Sequence, residues 1–205
     1  MQHYGLPTRL LDVTRNPLVA LYFAVDPEED DKKDGAVVIF AGDPNRHKFY
    51  DSDTVSCLAN LANLNESERQ ILANSKASTI SELKSLEPTK RLLQFIKDEK
   101  PYFLPKIKKV DLFRPISVTP KRSNQRMSAQ AGQFILFGLQ SQSKAAGPTY
   151  EKTNKMTQIE ISAPAKHEIR ERLDELSIDG STLFPEIDRA AKRLKQRYLS
   201  KAIPF

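Results

Sequence analysis

Cysteine occurs once in this 205-residue chain, tryptophan not at all, histidine three times and glycine seven times. The lone Cys57 excludes an internal disulfide and any zinc site built from several cysteines, and it suits a reducing, cytoplasmic compartment. His3, His47 and His167 show no ligand spacing, so no metal is expected. No glycine-rich phosphate loop is present. The longest strongly apolar run, Leu18 to Val25, falls well short of the roughly 20 residues that a membrane helix needs. The opening Met1-Gln2-His3-Tyr4-Gly5 lacks the charged and apolar regions of a signal peptide. No membrane partner is therefore expected. Internal repeats and low-complexity tracts are absent too.

What is present describes a globular domain with a real core. Apolar residues make up 39% and charged residues 28% of the chain, the balance of an ordinary soluble fold. Proline (13) outnumbers glycine, so many connections should be rigid and turn-like. A net charge of +6 permits a polyanionic partner such as nucleic acid without requiring one. The densest cations, Arg189, Lys192, Arg193, Lys195 and Arg197, fall on the polar face of an amphipathic helix. Lys106, Lys108 and Lys109 form a similar set. Few aromatics interleave with these charges, so a stacking platform for single-stranded nucleic acid is not indicated.

Local signals give the element order. Asn16-Pro17 is a helix start, with Asn as cap and Pro at the first helical position, and the helix should be buried and run from Pro17 to Val25. Gly35 to Ala41 reads as a buried strand and Asp43-Pro44-Asn45 as a turn. Tyr50 to Lys100 is helical in character. Asn65 with Glu68 makes a capping box, and Pro88 opens a helix with Leu92, Leu93 and Ile96 on one face. Strand signals follow at Val110 to Phe113 and Ile116 to Val118. Lys121 to Arg126 is a loop, and Gln130 to Gly138 a loop entering a strand, where Gly132 allows the bend. After a polar loop over Ser141 to Thr153, Lys155 to Ile161 alternates as a half-exposed strand. A helix from Ser162-Pro164 to about Leu176 is broken at Gly180. A last helix starts at Pro185. The fold class is α+β: one domain over residues 1–205, with a mixed, mainly antiparallel sheet, a buried helix after the first motif and two C-terminal helices.

Four stretches resemble the FRG domain family. The first is Gln2-His3-Tyr4-Gly5-Leu6-Pro7-Thr8-Arg9-Leu10-Leu11-Asp12, continuing through Thr14, Asn16-Pro17 and Ala20-Leu21-Tyr22-Phe23-Ala24. The second is Arg126 to Phe134, the third Gln158 to Leu176, and the fourth Leu183-Phe184-Pro185 with Ile187-Asp188. The family's Phe-Arg-Gly motif lies upstream of the first stretch and has no counterpart here, and Val13 stands where the family commonly has Trp. The motif-dense opening is expected to mark a domain whose N-terminal segment is missing. The resemblance implies a bacterial or phage-defence setting and a distant similarity to ADP-ribosyltransferases, with NAD as candidate substrate.

The polar residues of these stretches are the candidate site, and Thr8 to Thr14 reads as a polar loop leading into the helix. His3 could move a proton, and Arg9 could grip a phosphate or carboxylate through two parallel hydrogen bonds. Asp12 and Gln130 complete the catalytic candidates; Gln130 offers both donor and acceptor to a ribose hydroxyl or an amide. Thr8, Thr14, Tyr22, Arg126, Gln133 and Phe134 are ligand-binding candidates. A nucleotide-like or phosphorylated ligand fits this set. Two alternatives stand beside it. One is a binding module for nucleic acid or a protein partner through basic faces. The other is a structural domain in which Arg9 pairs with Asp12, Thr14 caps a turn, and Gln130 satisfies buried backbone groups of the first block.

Overall fold

A computed structural model describes residues 8–26, 31–121, 124–139 and 155–185. The architecture is α+β, with strands β1 (Leu10–Thr14), β2 (Gly35–Ala41), β3 (His47–Phe49), β4 (Ile116–Thr119), β5 (Gly132–Leu136) and β6 (Lys155–Ile161). The chain divides into two compact units, Met1–Asp12 with Ala41–Lys121 and Phe134–Lys155, and Val13–Phe40 with Arg122–Gln133 and Met156–Phe205.

The first unit is built around helix α5 (Glu87–Glu99). Pro88 sits in its first turn, where a missing N–H costs nothing. Leu92, Leu93 and Ile96 follow at helical spacing and are all buried. Each such side chain contributes about 1.5–3 kcal/mol by leaving water. Around α5 pack α2 (Asp53–Ala59), α3 (Glu66–Asn74) and α4 (Ile80–Ser85). The Asn65–Glu68 capping box forms as the spacing predicts, and Thr79 with Glu82 makes a second one. The N–H groups of Ser78 and Thr79 hold the Glu82 carboxyl below its ordinary range. Against these helices lies a sheet of order β1-β5-β4-β3. β3 runs parallel to β4, pairing His47 with Ser117 and Phe49 with Thr119; β5 runs antiparallel to β4, pairing Val118 with Phe134. Ile116, Val118 and Leu136 join the helical residues in one apolar cluster.

The second unit has its own cluster, Val19, Tyr22, Val25, Ile161, Leu173, Leu183 and Phe184. Helix α1 (Pro17–Val25) starts as expected, with the Asn16 side chain accepting the Leu18 N–H at 3.0 Å. It packs on α7 (Lys166–Glu175). Arg170 on α7 donates to the Val25 carbonyl at 2.6 Å and clasps Asp31, so the end of α1 and Asp31 are both fastened to α7. That clasp holds the Asp31 carboxyl below the usual carboxylate range. β2 and β6 form a separate two-stranded sheet. Among the described residues the unit also holds two short helices, α6 (Gln125–Ala129) and α8 (Gly180–Leu183).

Several elements depart from the sequence reading. The polar stretch after Thr8 is a strand, β1, rather than a loop. Val110 to Phe113 does not form a strand; Lys109–Leu112 closes as a 3-10 turn. Part of the Lys121 to Arg126 loop belongs to α6. β2 is half-exposed rather than buried, because in a two-stranded sheet Val38 and Ile39 face solvent while Val37 packs on the core. Gly180 begins a helix rather than only ending one. The residue that takes the left-handed conformation at the entry to β5 is Ala131 (φ 46°), not Gly132. The Ser141 to Thr153 loop and the helix expected beyond Pro185 lie outside the described residues.

Candidate functional site

Arg9 is positioned by the segment just past β5. Phe137 donates its N–H to the Arg9 carbonyl at 2.9 Å, and the guanidinium Nη1 donates to the Gly138 carbonyl at 2.8 Å. The side chain is half-buried. Burial lowers its pKa, the Arg69 guanidinium lowers it further, and Glu66 partly offsets both. Glu66 is committed elsewhere: Arg69 donates to its Oε2 from Nη2 at 2.7 Å and from Nε at 3.2 Å. Asp12 is exposed, and among the described residues no ion pair joins it to Arg9. Thr8 is exposed and closes on its own strand, its Oγ1 donating to the Leu10 carbonyl at 3.0 Å. Phe134 packs against the first apolar cluster.

In the second unit Thr14 and Arg15 meet the stretch from Arg126 to Phe134 at two of its carbonyls. Thr14 Oγ1 donates to the Gln130 carbonyl at 2.7 Å, and the Arg15 N–H donates to the Ala131 carbonyl at 3.1 Å. The Gln130 side chain turns the other way and donates from Nε2 to the Leu183 carbonyl at 3.0 Å. One residue on, the Phe184 ring lies under the Arg126 guanidinium, 4.7 Å from centroid to Cζ, a distance at which cation and ring attract. Phe23 meets Phe184 edge-on at 6.0 Å and Tyr22 at 5.7 Å. Thr14, Gln130, Arg126 and the aromatic group of Phe23 and Phe184 therefore share one neighbourhood. Tyr22 and Gln133 are buried. His3 lies outside the described residues.

The shelf that carries Leu183 and Phe184 depends on Asp179. This buried carboxylate accepts the Ser181 N–H at 2.6 Å, the Ser181 hydroxyl at 2.6 Å and the Thr182 N–H at 3.0 Å, and so starts the four-residue α8. Asp179→Ala would leave two N–H groups without partners and is expected to cost about 2–3 kcal/mol in urea unfolding. Asp179→Asn, which caps nearly as well, should recover most of that loss. Equal losses in the two variants would show that α8 does not depend on its cap.

Sequence reasoning missed four participants. Arg69 and Glu66 are spaced as an ordinary helical ion pair, which gave no reason to place them beside Arg9. Gly138 closes an apolar run and was the one visible sign of a tight contact. Leu183 contributes through its carbonyl, which residue identity cannot reveal. Among the described residues no helix is long and apolar enough to cross a membrane, and no group of three His, Cys, Asp or Glu could hold a metal.

No curated protein and no solved structure matches the chain. Residues 1–33, which span the opening block, β1 and α1, match the model of the FRG domain.

Proposed function

We propose that the FRG-like block recognises the anionic part of a nucleotide-like or phosphorylated ligand, with Arg9 as the gripping residue. The observation that carries this reading is the state of the Arg9 guanidinium. It is partly removed from water, lies in the field of a second guanidinium that Glu66 only partly offsets, and is tied by one hydrogen bond to a backbone carbonyl, not to a carboxylate. Desolvation and like charge both raise the free energy of a cation, and an oxyanion relieves both. In its sharper form the reaction is glycosyl transfer from NAD, in the bacterial or phage-defence setting that the FRG resemblance implies. His3 and Asp12 are then the residues to examine for proton transfer.

Calorimetric titration with NAD, ADP-ribose, ATP and inorganic pyrophosphate tests the binding step. Arg9→Ala is expected to weaken the best of these ligands about 10- to 100-fold, the worth of a charged hydrogen bond. Arg9→Lys should recover only part, because an ammonium cannot present two parallel donors. Release of nicotinamide from NAD would support the transferase form. If the unaltered protein binds none of the four ligands, the reading is wrong.

A further inference from the structure

Arg9 shares its corner of the first unit with a second guanidinium. It lies in the field of Arg69 on α3, and the Glu66 carboxylate lies in the field of both. The anchors of the two arginines explain the approach. Arg9 Nη1 donates to the Gly138 carbonyl at 2.8 Å, and Arg69 Nη1 donates to the Leu64 carbonyl. Gly138 lies against the helix that leads to Leu64: a β-carbon built on it would stand 3.1 Å from Leu58 Cδ2. Leu58, Leu61 and Leu64 then follow along one apolar cluster, which also takes in Leu139. Each arginine is thus pinned by one donor to backbone beside the same core.

The other donors are used differently. Among the described residues, the Arg9 side chain has no hydrogen bond besides the one to Gly138. Arg69 turns its Nε–Nη2 edge to Glu66, but both donors converge on a single oxygen, Oε2, at 3.2 and 2.7 Å. The second oxygen, Oε1, accepts the Gln70 amide at 3.2 Å. Two donors meeting two oxygens is the strong arrangement for arginine, and Glu66 does not supply it. The Glu66 side chain is 68% exposed and sits three residues before Arg69 on one helix, a kind of pair that holds weakly. Glu68 is held elsewhere, by the Asn65 N–H at 2.8 Å and by Arg91 at 3.1 Å.

We propose that Glu66 stands in for part of the ligand: in the free protein it occupies Arg69, and an incoming diphosphate displaces it, placing one phosphate on Arg9 and the other on the Nε–Nη2 edge of Arg69. This inference rests on the reading of Arg9 as an anion-gripping residue. It adds a second gripping residue, a brake on binding and a ligand class. Two guanidiniums, each anchored to its own carbonyl, present two separate grips, and a diphosphate brings an anionic group to each. Its charge also exceeds that of the single carboxylate it displaces.

Calorimetric titration with inorganic pyrophosphate and with inorganic phosphate tests the displacement. Glu66→Gln is expected to bind pyrophosphate about tenfold more tightly, because the competing carboxylate is gone and Arg69 is released. Arg69→Ala should weaken pyrophosphate about tenfold and phosphate less than about twofold. In the Arg69→Ala background most of the gain from Glu66→Gln should vanish, which separates release of Arg69 from a general loss of negative charge. Glu66→Gln alters only an exposed carboxylate, so it decides the matter even where Arg69→Ala lowers the melting temperature. Three results overturn the displacement and leave the Arg9 reading standing: pyrophosphate binding that needs Arg9 but ignores Arg69→Ala, no gain in Glu66→Gln, or equal gains in the two backgrounds. Pyrophosphate binding that survives Arg9→Ala unchanged overturns both.

Discussion

Gly138→Ala is expected to destabilise the protein by about 3 kcal/mol or more in chemical denaturation. A β-carbon at that position would lie 2.0 Å from the Leu112 carbonyl oxygen and 2.7 Å from its carbon. Both are backbone atoms, so relief requires the two chain segments to part. The Leu139 N–H donates to that same Leu112 oxygen at 2.7 Å, and parting the segments breaks this bond as well. The Gly138 carbonyl would move with its residue and take the anchor of Arg9 away. Gly132→Ala supplies the comparison. Its new β-carbon would meet the end of the Met127 side chain, with Cε at 2.9 Å and Sδ at 3.2 Å. A thioether swings aside at little cost, so this variant should lose less than about 1 kcal/mol. Similar losses in the two variants would refute the account of Gly138 as a close-approach position.

The second large effect concerns Cys57. Its thiol is buried in the first unit and its pKa is pushed up to about 12, first by burial and then by Asp53 and Asp111, with Lys100 opposing. Thiolate is the reacting form. At pH 8 the folded protein should therefore react with iodoacetamide about a thousandfold more slowly than the unfolded chain, from the thiolate fraction alone. Mass spectrometry of timed samples measures this. Native labelling at the unfolded rate would mean that α2 opens far more readily than its packing implies. Because Cys57 is the only cysteine, the labelling rate reports on this one core with no other site to confuse it.

How much of this was legible beforehand depends on where each signal resides. α1 could be read because Asn16 and Pro17 are chemically committed to a helix start. The same holds for α3 with its Asn65–Glu68 box and for α5 with Pro88 and its apolar face. β1 was hidden because Leu10 and Leu11 are adjacent, which spoils the two-residue alternation by which a strand is recognised. β3 has only three residues and no room for a pattern. Val-Asp-Leu-Phe over positions 110–113 imitates alternation, but the stretch is short and curls into a 3-10 turn. α6 is short and polar, and its one advance sign was Asn124, whose side chain accepts the Arg126 N–H at 2.8 Å.

The candidate site divides in the same way. The sequence named Arg9, Thr14, Arg126 and Gln130 from their chemistry. It could not show that Arg9 leaves Asp12 alone and donates to Gly138, because that partner is a carbonyl 129 positions away. Nor could it show the two roles of Gln130, whose carbonyl serves Thr14 while its amide serves Leu183.

The contact between Thr14 and Gln130 has an asymmetry with practical weight. One end is a hydroxyl and the other a peptide oxygen. Every amino acid brings that oxygen to position 130, whereas only serine or threonine brings the hydroxyl to position 14. An engineer wishing to recast the chemistry can therefore work through many residues at 130 with the junction intact, while position 14 admits almost no choice.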